Sequence, residues 1–187
     1  MHIHPSQLRH ALSLYLGQEL TPEAAAHVEA VALVNTMPMP EIPQGCGLVN
    51  DQHQRYFDHV NSGCEGNYDP SSARVIANVG PGGDIKGVVL FNKPSQHSIE
   101  MAVSSDGSGH WLSKSLLKAA FRYPFVQLGK CRVTAVIRAS NVAALRLDEG
   151  LGFRHEGLLF DFFGPGKACV VMGMLREQCR WIGKDEK

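Results

Sequence analysis

The chain is expected to fold as an α+β protein with a central mixed, mostly antiparallel sheet and flanking helices. Two features point there. Residues before about 64 carry helical periodicity, whereas from residue 73 onward short β-rich runs alternate with Gly/Pro turns. Helical segments then interrupt those runs twice, so the order becomes helices, three strands, helix, strand, helix, two strands.

Each element has a local reason. In "SQLRHALSLYLG", Leu8, Leu12, Tyr15 and Leu16 share one face and Gly17 is a natural stop. "TPEAAAHVEAVALVNTM" follows, with Thr21 as cap, Pro22 in the first turn and Glu23 at the positive helix end. Pro38, Pro40 and Pro43 then enforce a connector over 38–45, one compatible with mobility. "DQHQRYFDHVNSG" reads as a short helix capped by Asp51 and ended by Gly63. "ARVIANV", "IKGVVLFN" and "SIEMAVSS" form a meander through turns at "GPGGD" and "KPSQH". "SGHWLSKSLLKAAFRYPF" is helical, with Ser108 able to cap it, Leu112, Leu116, Ala119, Ala120 and Tyr123 on one face and Lys114, Lys118 and Arg122 on another; Pro124 ends or kinks it. "CRVTAVI" is a strand running parallel to "SIEMAVSS" through a right-handed crossover. "NVAALRLDEG" is a helix, and "EGLLFDFFG" and "ACVVMGMLR" close the sheet around "PGK".

At 187 residues one domain is expected, with a helical part over 1–63 and a sheet core over 73–176. No apolar run is long enough to cross a bilayer, and no signal peptide precedes the first helix. The five cysteines form no C-x-x-C pair, which suits reduced thiols in a cytoplasm; Cys131, Cys169 and Cys179 lie in or beside apolar runs and read as core residues. Formal net charge is zero, which weighs against nucleic acid as partner without excluding a local basic stripe. Nine histidines are scattered, and His2 and His4 lack nearby Cys or carboxylate partners, so no metal site is expected. Neither a G-x-S-x-G elbow nor a G-x-x-x-x-G-K-[ST] loop is present, and "GPGGD" is better explained as a hairpin turn.

The segment "CRVTAVIRASNVAALRLDEGLGFRHEG" carries a strand, Asn141, the small Ala144 three positions on, then Leu151-Gly152-Phe153 and Glu156-Gly157. With the closing "VMGMLREQCRW", it resembles the GCN5-related N-acetyltransferases (GNAT), in particular the branch containing ribosomal-protein N-terminal acetyltransferases and small proteins often carried by bacteriophages. The resemblance covers about Ala73 to Arg176. It implies that "SIEMAVSS" and "CRVTAVI" splay apart and hold acetyl-CoA in the gap, with the diphosphate at the start of the next helix. The implied cofactor residues are Met101, Val103, Ser104, Ser105, Asp106, Gly107, Ser108, Gly109, His110, Asn141 and Ala144. The implied reaction is direct acetyl transfer to a primary amine of a protein or small molecule, in a protein that can be homodimeric.

Two departures stand out. The family's Gln/Arg-x-x-Gly-x-Gly/Ala loop would begin here at Ser104, and Asp106 brings a negative charge toward the diphosphate. The tyrosine that many relatives use as general acid is missing; Leu147 or Asp148 falls about where it would be. Glu100 is the carboxylate best placed to act as base, with His110 as a further candidate, Ser105 as a hydroxyl at the splay, Asn141 near the cofactor and the Val103 N–H as oxyanion donor. The rival readings are a GNAT-fold accessory protein without transferase activity and a nucleic-acid-modifying enzyme whose footprint would be Lys114, Lys118 and Arg122.

Overall fold

The computed structural model describes residues 19–64 and 66–187, together with 13, 14 and 16. The first expected helix lies outside the described residues apart from its C-terminal part, where Leu16 is helical and exposed. His2 and His4 lie outside them as well. Helix α1 (Pro22–Thr36) starts as its sequence dictates, with the Thr21 Oγ1 accepting from the Ala24 N–H at 3.2 Å and Pro22 in the first turn.

The proline-rich connector is held down. Tyr123 donates its hydroxyl to the Pro38 carbonyl at 2.9 Å, and Gln127 donates to the Met39 carbonyl and accepts from the Glu41 N–H. It leads into β1 (Leu48–Val49), a two-residue strand that the proline content masked. Helix α2 (Gln54–Gly63) buries Tyr56, Phe57 and Val60. Its cap is His53, whose Nδ1 accepts from the Arg55 N–H, and not Asp51, whose carboxylate instead accepts from the His53 N–H.

Strands β2 (Ala73–Val79), β3 (Ile85–Asn92) and β4 (Ser98–Ser105) form the expected antiparallel meander. Helix α3 spans only Lys114–Arg122, because Ser113 is its cap and accepts from the Leu116 N–H at 3.1 Å. Gly107, Ser108, Gly109, His110 and Leu112 are therefore loop, and Ser108 caps nothing. Pro124 lacks an N–H and cannot continue the helix; the chain widens into a π-type turn at Tyr123–Gln127, closed by the Leu128 N–H on the Tyr123 carbonyl at 2.9 Å. Strand β5 (Arg132–Arg138), helix α4 (Val142–Leu151), β6 (Arg154–Leu159) and β7 (Cys169–Leu175) complete the order.

The seven strands lie in the order β1-β2-β3-β4-β5-β7-β6, and only β4 and β5 run parallel. Both faces are covered. One carries α3, α4 and the π-turn over a core that includes Phe91, Ile99, Phe121 and Phe153; the other carries α2 over Val75, Val88 and Leu90. Burial on two sides explains why β2 and β3 read as continuous apolar runs and not as alternating ones. Each large side chain so buried contributes about 1.5–3 kcal/mol. Cys169 and Cys179 are buried as expected, but Cys131 is exposed, because it precedes β5 at the strand's open end. Edge strand β6 is exposed along its whole length and is clipped to β5 by a two-pronged Arg132–Glu156 ion pair. Among the described residues, no helix is long and apolar enough to cross a membrane and no three potential metal ligands cluster.

Candidate active site

The site is a failure of pairing between two strands that are otherwise fully held. β4 and β5 pair only at Ser98↔Arg132, Ile99↔Val133 and Glu100↔Thr134. Beyond Glu100 they separate, while β4 remains paired with β3 as far as Ser105 and β5 with β7 as far as Arg138. The outer partners keep each wall straight, so the result is a V-shaped gap, part of a cleft of about 640 Å³.

Hydrogen-bond parity shows what faces the gap. The Asp106 N–H bonds the Lys86 carbonyl, so by strand alternation the backbone groups of Ser104, Ala102 and Glu100 face β3. Those of Met101, Val103 and Ser105 face the gap. On β5 the Ala139 N–H bonds Ala168, so Ile137 and Ala135 face β7 and Val136 faces the gap. Among the described residues, one gap-facing group is already engaged, the Val103 carbonyl, which accepts from the Cys64 Sγ at 3.5 Å.

Side chains divide by the same parity. Met101 and Val103 point to the α3/α4 face, whereas Ala102 packs against the α2 core and the Ser104 hydroxyl meets His59 Nδ1 at 3.0 Å. Glu100 points to the α2 face from the last paired position, the apex of the V. Its carboxylate is 3.0 Å from Lys93 Nζ and is 27% exposed. On the same side, Tyr68 lines the cleft with Cys64. Burial, then Cys64 and Glu100, push the Tyr68 phenol up, and burial pushes the Cys64 thiol up.

The opposite face presents α4. Asn141 caps it, its Oδ1 accepting from the Ala144 N–H at 3.1 Å, and Asn141 and Ala144 both line the cleft. One turn further on, Asp148 lines it too. That side chain is 7% exposed, and among the described residues its carboxyl has no hydrogen-bond or ionic partner. Burial raises its pKa to about 7.

The loop after β4 lies beyond the cleft wall. Asp106 accepts from the Ser108 N–H at 2.9 Å and lies 3.6 Å from Lys86 Nζ; Ser108, and more weakly Lys86, hold its carboxyl below the usual carboxylate range. The charge that departs from the family loop is thus turned toward a lysine. Ser105 accepts from the Gly107 N–H at 3.4 Å and shapes the same loop. Gly107 has φ +78°, and a side chain added at Gly107 or Gly109 would meet nothing within 4 Å. Open space at both glycines, unpaired backbone along the gap and the small Ala144 fit an extended thioester cofactor with a diphosphate. His110 is not brought to the cleft; it borders a separate hollow with Cys46 and Lys86.

The splay, the small residue on the capped helix and the mostly antiparallel seven-stranded sheet define the fold of the GCN5-related N-acetyltransferases. Solved structures agree. The spermidine/spermine N-acetyltransferase SpeG from Vibrio cholerae in complex with manganese ions superposes with TM-score 0.50 at 21% identity, covering 57% of this chain and 66% of that one. The same enzyme in complex with CoA and spermine gives 0.51 at 21% identity over 57% and 68% of the two chains. A point mutant of it gives 0.52 at 20% identity over 61% and 69%. The chain thus spans just under two thirds of the first of these. No protein-family model matches the sequence, and no curated protein matches it.

Sequence reasoning placed Glu100, Met101, Val103, Ser104, Ser105, Asn141 and Ala144 on the cleft wall. It missed Tyr68 and Cys64, which reach the cleft only through the fold of the segment after α2, where Asn61 holds both backbone groups of Tyr68 at 2.9 Å. It also missed Trp111, packed over Gly87. The only signals for these were a Tyr and a Trp beside glycines.

Proposed function

We propose that the protein is an acetyl-CoA-dependent N-acyltransferase that moves the acetyl group to a primary amine by direct attack. The observation that carries this is the gap that opens beyond Glu100 with the backbone of Met101, Val103 and Ser105 turned into it. Acetyl-CoA supplies an activated thioester. The strand edge would take the pantetheine arm as an added strand, the Val103 N–H would polarise the thioester carbonyl, and Glu100 would take the proton of the attacking amine. Asn141 holds the N-terminal end of α4 in place, and Ala144 leaves room for the arm. The motif from Asn141 to Gly157 supports a place in the branch that includes ribosomal-protein N-terminal acetyltransferases.

The acceptor reading differs from that of the structural neighbours. Among the described residues, the carboxyl groups lining the cleft are Glu100, which is paired with Lys93, and Asp148, whose proton burial retains. A polyamine calls for several unpaired carboxylates, and the described lining supplies no such cluster. Val136, Phe162 and Phe163 supply apolar surface instead, which favours a single amine on a largely neutral body. The nucleic-acid alternative is weakened by Arg122, which is ion-paired with Glu186 and so interrupts the basic stripe.

Calorimetric titration of acetyl-CoA into the protein tests the proposal, with Asn141→Ala and Gly109→Trp as controls. Micromolar binding weakened by both substitutions is expected. Absence of binding at millimolar cofactor would leave the accessory-protein reading.

A further inference from the structure

The cleft holds two carboxyl groups in opposite surroundings, on opposite faces of the sheet. Glu100 sits at the apex on the α2 face, against the Lys93 ammonium and within reach of water. Asp148 sits on α4, on the other face, 7% exposed, its carboxyl with no hydrogen bond or ion pair to another described residue and open only to the cleft it lines. A carboxyl group held at a mostly apolar cleft wall, without an ionic partner, keeps its proton more readily than a solvated one, and such groups cluster at sites that use them. Where two carboxyls are held apart in this way, the paired one is suited to accept a proton and the buried one to donate.

We propose that Asp148 is the general acid of the transfer, delivering its proton to the CoA sulfur as the thioester bond breaks. This rests on the acyltransferase reading above. The amine nitrogen bonds to the acetyl carbonyl carbon, and Glu100 takes the amine proton. The carbon–sulfur bond breaks with its electron pair going to sulfur, and the Asp148 proton goes to that sulfur, leaving the thiol and an Asp148 carboxylate. Solvent reprotonates Asp148 and deprotonates Glu100 once the products leave. The amine must therefore approach from the α2 side, past Tyr68 and Cys64, and the thiol must lie on the α4 side beside Ala144.

The other charged and titratable side chains of the cleft are Lys93 and Glu100 on the β4 side, Arg138 on β5, and Cys64 and Tyr68 after α2. Among the described residues, the cause that raises the proton affinity of Asp148 is burial. A pH near neutrality is thus where the group changes from donor to spent carboxylate, and activity should fall on the alkaline side as it does so.

The test compares the full chain with Asp148→Asn and Asp148→Glu. Acetyl-CoA binding is measured first by calorimetry. Thiol release is then followed from pH 5.5 to 9 with benzylamine, spermidine and a tripeptide with a free N-terminus as acceptors. The expected result is cofactor affinity within about twofold for both variants, at least a tenfold loss of turnover in Asp148→Asn, and loss of the alkaline limb in that variant. Asp148→Glu should keep the limb and recover part of the rate. Wild-type turnover matched by Asp148→Asn with the same pH profile would overturn the role of Asp148 alone. A wild-type chain that neither binds acetyl-CoA nor releases thiol would overturn the acyltransferase reading and this role with it.

Discussion

Asp148→Asn should make the protein more stable in alkaline solution. In the folded chain the carboxyl pKa rises from the ordinary 3.8 to about 7, through burial. A carboxyl with a raised folded pKa binds its proton more tightly when folded, so the unfolded chain binds fewer protons between those two values and stability falls as pH rises through them. The cost is absent below about pH 3 and complete above about pH 8, where it amounts to about 4 kcal/mol. An uncharged, nearly isosteric amide removes that cost. Its advantage over the wild type should grow by about 2–3 kcal/mol between pH 5 and pH 8.5, against a total stability of about 5–15 kcal/mol for a typical domain. Urea unfolding of both proteins at the two pH values measures it, and melting should show the variant about 10 °C higher at pH 8.5. Parallel pH dependences would show that the Asp148 carboxyl is hydrated or paired, and would remove the ground for treating it as a proton donor.

Other consequences follow from the loop and the caps. Under the acyltransferase reading, Lys86→Ala leaves the Asp106 charge uncompensated beside the loop that would take the diphosphate and should weaken acetyl-CoA several-fold at low salt; Asp106→Ala in the same background should restore it, both by calorimetry. Asn141→Ala removes the α4 cap and should cost about 1 kcal/mol in urea unfolding, in addition to any loss of cofactor affinity. At Gly87 an added Cβ would come within 2.6 Å of Trp111 Cε3 and 3.3 Å of the Ser104 carbonyl oxygen, so Gly87→Ala should displace the indole and cost about 1–3 kcal/mol, with a shift in tryptophan emission as its signature.

Strands β2 to β5 and β7 were legible because their runs are bounded by turns whose chemistry is local: "GPGGD" closes on itself, with the Gly83 N–H on the Gly80 carbonyl. Helix α4 was legible for the same reason, since Asn141 and Gly152 mark both its ends and Gly152 adopts φ +114°. The start of α3 was not, because Ser108 and Ser113 are both competent caps and only tertiary contact decides between them. Trp111 packs over Gly87 and its carbonyl accepts from Asn78 Nδ2 at 2.8 Å, which fixes the preceding loop as loop and moves the cap to Ser113. Strand β1 was hidden by the prolines around it, since two residues carry no period. The expected strand "EGLLFDFFG" is corrected: β6 starts earlier, at Arg154, and ends at Leu159, and Phe160 to Phe163 form a turn in which Asp161 has φ +55°.

The site was legible to the extent that it follows from strand parity. Once "SIEMAVSS" is a strand beside a crossover, even and odd residues must face opposite ways, and Glu100 and Val103 are separated by that alone. What parity cannot supply is the environment on each face. Lys93 reaches Glu100 from the turn before the strand, and Tyr68 arrives from a segment more than thirty residues earlier in the chain. The burial of Asp148 needs the whole packing of α4 on the sheet, with Leu151 and Phe153 drawing the helix down behind it. In sequence, Asp148 stands beside Glu149 as one of two ordinary surface-type acids; Glu149 does face out, to His155 at 2.7 Å, and Asp148 faces in. The difference between a solvated helix face and a proton donor is here a rotation of one residue, about 100° around the helix axis.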